Sequence, residues 1–261
     1  RDYTKVIQYC DEVKADGFDL VDDFSDLFGM NAAGTDAKMR NTKESILEAQ
    51  FTPGAGNWCT WMFGRDLVNW NNNFTWAKWV TPSRDLISTF KQEGDEVRFK
   101  ESVVYYDCGW SNYYPSDNYP FMYKCRSANS SIIKYRYADV LLLKAEALIM
   151  QDTPDLEGAA DIIDEVRDRA KLGALSSSTR SNKDALLNAL LKERRLELAF
   201  EGQRWFDLVR LDKVEEVMNA VHAKDSGRKA QVYTYDKNSY RLPIPQSVID
   251  ANDKIHQNPG Y

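Results

Sequence analysis

Six of the seven tryptophans, Trp58, Trp61, Trp70, Trp76, Trp79 and Trp110, fall in one stretch of the chain, and Tyr105, Tyr106, Tyr113, Tyr114, Tyr119 and Tyr123 extend it. WNNNFTW, Trp70 to Trp76, sets three asparagines between aromatic rings; Ser111 to Tyr119 mixes tyrosine with serine, asparagine and aspartate. This mixture suits carbohydrate recognition. A sugar ring lays its apolar face on an aromatic ring, and its hydroxyls need amide and carboxylate partners. Trp70, Asn71, Asn72 and Trp76 are the first candidate contacts, followed by Trp58, Trp110, Tyr113 and Tyr114. Burial is the competing reading. Trp58/Trp61 and Trp76/Trp79 are each three apart, as in buried helical turns, and large aromatics are more often core than site. Trp79 and Trp205 are expected in the core.

The ionisable residues point to architecture. With 40 aspartates and glutamates, some pair stands at glycosidase spacing by chance, so abundance carries no weight. Asp161, Asp164, Glu165 and Asp168 read as a solvated helical face. Glu197, Glu201 and Asp207 read as partners for Arg194, Arg204 and Arg210, because charges set into an apolar stripe must be paired. No GxSxG, HExxH, Walker or GxGxxG pattern occurs. His222 and His256 stand far apart, and Cys10, Cys59, Cys108 and Cys125 form no CxxC pair. Neither a zinc site nor a cofactor is expected. Cys108 and Cys125 bracket one aromatic loop and are the most plausible disulfide, although free buried thiols are the expectation. A formal charge of −6 argues against nucleic acid. No apolar run reaches the roughly 18 residues of a membrane span.

These residues need a scaffold, and the periodicity predicts a helical one. Tyr3, Val6, Ile7, Cys10 and Val13 form a stripe that should end near Asp16-Gly17. A Gly/Asn/Thr-rich connector covers 29–41, and SILEAQF alternates as a short strand. Thr81-Pro82 should start a helix with Pro82 at its first position and Leu86, Ile87 and Phe90 inward. Residues 95–107 hint at a strand. Tyr137 to Met150 and Leu156 to Ala170 form a helix pair of about 34 residues, the period of a tetratricopeptide repeat. Ala138, Ala145, Ala159 and Ala160 should let its helices approach closely. The run 191–210 is helical, with Gly202 marking a break or a close backbone approach. Near the end, YTYDKNSYRL has strand character, and Pro243 and Pro245 fix an extended tail.

Five ordered blocks carry a resemblance: RYADVLLLKAEAL at Arg136 to Leu148, AADIIDEVRDRA at Ala159 to Ala170, ERRLELAFEGQRWFDLVR at Glu193 to Arg210, LPIP at Leu242 to Pro245 and QNPGY at Gln257 to Tyr261. Together they resemble the C-terminal signature of the SusD/RagB family. The resemblance implies a mostly α fold, with tetratricopeptide-like helix pairs, irregular aromatic-rich loops and minor β. It implies one SusD-like domain over 1–261, the C-terminal portion of a longer protein. Within it, 1–28 ends a helical repeat, 29–131 is loop-rich and ligand-binding, 132–221 is a helical scaffold and 222–261 a strand and tail. It further implies a non-catalytic lipoprotein on the bacterial outer-membrane surface, anchored through a lipid upstream of this chain. Such a protein would bind an oligosaccharide, or in some members a peptide, and deliver it to a SusC-like TonB-dependent transporter. The alternative is a helical scaffold whose aromatic patch takes a peptide or protein partner.

Overall fold

Buried alanines packed among large aliphatics make the helix pair at the centre of the first core. The computed structural model describes residues 1–52, 54–58, 80–107, 113–225 and 234–261, and for His222 the backbone alone. The helices are α1 (Tyr3–Ala15), α2 (Ser25–Phe28), α3 (Arg84–Glu93), α4 (Glu96–Ser102), α5 (Tyr137–Met150), α6 (Leu156–Arg169), α7 (Ser177–Arg180) and α8 (Lys183–Glu197). Two antiparallel strand pairs accompany them: β1 (Ser45–Ala49) with β4 (Ile132–Arg136), and β2 (Val103–Tyr106) with β3 (Tyr119–Met122). On α5 and α6 the expected alanines, Ala138, Ala145, Ala159 and Ala160, are wholly buried, so the two helices pack closely. Leu142, Ile149 and Ile163, with Leu186 and Leu190 from α8, fill the same core. Each fully buried aliphatic is worth roughly 1.5–3 kcal/mol. Helix α1 packs along α5 and stops as expected, with Asp16 as its C-cap and Gly17 at φ +93°. The Asp155 carboxylate caps α6 by accepting from Gly158 N at 2.9 Å. Among the described residues, no helix is long and apolar enough to cross a membrane.

Local caps correct two expectations around the second strand pair. Arg84, not Pro82, opens α3, because the Ser83 hydroxyl accepts from Leu86 N at 3.1 Å and makes Ser83 the N-cap. Leu86, Ile87 and Phe90 do face inward. Most of the strand expected over 95–107 is helix α4. Gly94, at φ +69°, ends α3, and Asp95 then caps a new helix by accepting from Arg98 N at 3.1 Å. Only residues 103–106 remain extended.

The 191–210 run breaks where glycine suggested. Helix α8 ends at Glu197, and Phe200 and Gly202 take positive φ of +67° and +83°. The break carries Glu201 off the α8 face, so the partners expected from helical spacing are replaced by residues from elsewhere. Arg194 donates to Asp139 Oδ1 at 2.8 Å. Glu197 accepts from Arg136 Nη1 at 2.5 Å, from Arg98 Nη1 at 3.0 Å and from Arg169. Arg136 grips Glu201 with two donors, at 2.7 and 2.8 Å, and reaches Glu44 at 2.6 Å. Arg98 also binds Asp95 and Glu193. Every one of these charges is buried except Glu201, which is nearly so. The Phe24 ring lies under Arg169 at 4.8 Å and Lys124 at 5.3 Å. Despite burial, Arg169, Arg136 and Arg98 hold the Glu197 carboxyl well below the usual range, and Arg136 and Lys124 lower that of Glu201.

The chain divides into two compact units, 1–202 and 203–261. The second holds α9 (Arg204–Arg210), α10 (Val214–Asn219), α11 (Val221–Lys224) and α12 (Gln246–Asp250). Arg210 pairs with buried Asp207 at 2.7 Å, as expected. Trp205 is half-buried rather than core, with its ring centroid 6.4 Å from that of Tyr235. Where YTYDKNSYRL suggested a strand, the described part forms a 3-10 turn over Lys237–Tyr240, because Asp236 and Ser239 make a reciprocal capping box. The LPIP and QNPGY motifs lock together. Gln257 donates to Ile244 O at 2.9 Å and accepts from Ile244 N at 2.7 Å, and Asn258 donates to Leu242 O at 2.7 Å. Gly260 is required there, since a Cβ would meet the Asn238 side chain at 2.6 Å.

Three outcomes follow from these contacts. Arg136→Met leaves three carboxylates without their shared cation and should destabilise the fold by about 3–5 kcal/mol in chemical denaturation; an unchanged midpoint would refute the network's role. Because the folded-state pKa values of Glu197 and Glu201 are depressed, their contribution is present above the ordinary 4.5 and lost as pH falls. Glu197→Gln should therefore flatten the loss of melting temperature on acidification. Gln257→Ala removes two hydrogen bonds, roughly 1–3 kcal/mol of local stability, and should speed proteolysis between 242 and 261 without unfolding residues 1–202.

Candidate functional site

The β2–β3 hairpin carries a ladder of aromatic rings. Its register sets Val104 opposite Phe121 and Tyr106 opposite Tyr119. Tyr119 and Phe121 are buried, with centroids 4.9 Å apart, and the Tyr119 hydroxyl lies 2.7 Å from Thr81 Oγ1. Tyr114 meets Tyr119 edge to face at 5.7 Å, and its hydroxyl donates to Pro82 O at 2.9 Å. Tyr113 meets Tyr114 at 4.7 Å and 84°. Both are half-buried, so the ladder runs from the core to the surface. The Arg84 guanidinium lies over both rings, 4.3 Å from the Tyr113 centroid and 4.2 Å from that of Tyr114, and it donates to Tyr113 O.

Trp58 stands on a different anchor. Buried Asn57 bonds to the turn at 127–130, donating from its amide to Ser130 O at 2.8 Å and to Ala128 O at 3.0 Å. Gly56 lies against the same turn, where a Cβ would come within 3.0 Å of Ala128. From this pinned segment Trp58 projects with 66% of its surface exposed. Of the candidate contacts, then, the structure joins Tyr113 to Tyr114 and exposes Trp58. Trp70, Asn71, Asn72, Trp76 and Trp110 lie outside the described residues, as do Trp61, Trp79 and Cys108. Cys10 is a buried free thiol, pushed up to about 11 by burial.

Two features escaped the sequence reading. Arg84 had only its place behind Pro82 as a signal. The other is a cavity of about 430 Å³ whose lining includes Phe28, Met122, Ile133 and Phe200 together with Lys124 and Glu201. These residues come from segments far apart in the chain, so no local pattern joins them. Lys124 donates to Glu201 Oε1 at 2.6 Å and to Glu197 O at 2.8 Å, and its ammonium lies 4.8 Å from the Phe28 centroid. Burial pushes Lys124 down to about 8, although Glu201 opposes it. Glu201 is also gripped by Arg136, so these two charges are engaged within the protein.

Residues 119–261 match the SusD family. SusD-like protein P38 of Formosa agariphila is 41% identical over 139 residues, 51% of this chain and 25% of that protein. SusD-like protein P2 of the same organism is 34% identical over 142 residues, 52% of this chain and 27% of that protein. The matches thus span about a quarter of the length of these curated relatives. A SusD homolog from Bacteroides thetaiotaomicron superposes with a TM-score of 0.72 at 19% identity, over 99% of this chain and 59% of that one. Surface glycan-binding protein A from the same species, in complex with laminarihexaose, superposes at 0.70 and 20% identity, over 98% and 59%. Identities this low speak to the fold, which is the mostly helical SusD fold. The family match covers more than half of the residues, and this chain belongs to the SusD family.

Proposed function

We propose that the protein captures glycans by stacking them on surface aromatic rings, without turning them over. The observation that carries this reading is the aromatic ladder, anchored in the core and half-exposed at Tyr113 and Tyr114. Exposed Trp58 and the relative solved with laminarihexaose support it. Trp70, Asn71, Asn72, Trp76 and Trp110 complete the proposed contact set. Glu197 and Glu201 are committed to buried ion pairs, so neither is a candidate general acid or base. The protein would act as a lipoprotein at the outer-membrane surface, its lipid anchor upstream of this chain, and pass its ligand to a SusC-like TonB-dependent transporter. A peptide or protein partner is the second reading, favoured by the apolar part of the cavity lining, Phe28, Met122, Ile133 and Phe200.

Calorimetric titration with laminarihexaose and a panel of neutral and acidic oligosaccharides tests the first reading. Trp58→Ala and Tyr113→Ala should each weaken binding about three- to tenfold while the melting temperature holds within a few degrees. Absence of binding across the panel, or release of shortened glycans, would overturn it. Retained glycan affinity in both variants would place the contacts elsewhere.

A further inference from the structure

We infer that Arg84 is the positioning residue of the aromatic platform, holding Tyr113 and Tyr114 in the orientation that meets a sugar. The inference rests on the glycan-binding reading above. Two adjacent tyrosines on an irregular segment have many ring orientations open to them, and a stacking surface is useful only if one persists before the ligand arrives. Tyr114 is fixed from several directions: its hydroxyl on Pro82 O, its ring on Tyr119, and Arg84 over it. Tyr113 is the next ring along, in contact with both Tyr114 and Arg84. Arg84 bridges this ring and the fixed one, its guanidinium carbon 4.3 and 4.2 Å from their centroids and a donor on the Tyr113 backbone carbonyl. A guanidinium suits this task, because its delocalised charge is attracted to each ring while its N–H groups donate in their own plane. Its origin is equally rigid, since Arg84 opens α3 directly after the Ser83 cap.

Ring order and affinity, measured together in Arg84→Ala and Arg84→Lys, test the inference. Without ligand, the NMR ring resonances of Tyr113 should be sharp and dispersed in the wild type. In Arg84→Ala they should average toward free-tyrosine positions, and Arg84→Lys, which keeps the cation but not the plane, should restore them in part. For the tightest panel glycan, or laminarihexaose, Arg84→Ala should lose about tenfold in affinity, the order of one cation–π contact, and Arg84→Lys should recover part of it. Melting temperatures within a few degrees of wild type would separate positioning from folding; if Arg84→Ala unfolds, Arg84→Lys carries the same comparison. Unchanged Tyr113 resonances in the variants would overturn the inference. So would unchanged glycan affinity in a panel where Tyr113→Ala does lose binding. If no panel glycan binds the wild type, the glycan reading fails, while the ring resonances still decide whether Arg84 orders the platform.

Discussion

Glu197 sits fully buried at the end of α8 with three arginines within ion-pair distance, from α4, the end of β4 and α6. An isolated carboxylate could not be buried there; its desolvation cost is met only if those elements converge on it together. Glu44, from the segment that leads into β1, shares Arg136 and Arg169 with it, and Glu201, beyond the helix break, shares Arg136. Much of the first unit is therefore constrained by one cluster of charges. Apolar contact alone would tolerate a shifted register or a slid helix. A bidentate arginine does not, because its planar fork matches a carboxylate in few geometries.

The break after α8 follows from the same cluster. Positive φ at Phe200 is unfavourable for an aromatic residue, and such strain persists only when its surroundings over-determine it. Here Lys124 holds both the Glu197 carbonyl and the Glu201 carboxylate, while Phe200 packs beside Leu86, Phe90 and Leu196. The fold thus places its buried charge and its strained backbone side by side, and the cavity opens next to both. The second unit is held differently, by side-chain amides bonding main-chain groups: Asn219 on Tyr235, and Gln257 on Ile244. Such locks let irregular, proline-containing chain hold one conformation without a sheet.

Against this scaffold the proposed recognition surface is local and modest. Tyr119 and Phe121 are sunk into the hairpin, Tyr114 and Tyr113 climb outward from them, and Asn57 pins the base of Trp58. Rings offered to a ligand from such supports have little ordering entropy left to lose on binding, and adjacent irregular segments can vary without disturbing the helices beneath.

The sequence by itself determined the helix pair, its alanine seam, the stop at Gly17, the break at Gly202 and the family, because these depend on residues close together or on motifs in fixed order. It also foretold that charges in the 191–210 stripe would be paired. It did not tell their partners. Arg98, Arg136 and Arg169 reach Glu197 from positions 99, 61 and 28 residues away, and helical spacing carries no information across such distances. The misread strands share one physical reason: strand character was visible, but the side-chain caps at Asp95 and Asp236 outweighed it locally. Tyr113 and Tyr114 were legible as candidates by composition alone. That they form the outer rungs of a ladder under Arg84, while Trp58 hangs from another anchor, was decided by tertiary structure, because ring stacking depends on which backbones meet and not on which residues are neighbours in the chain.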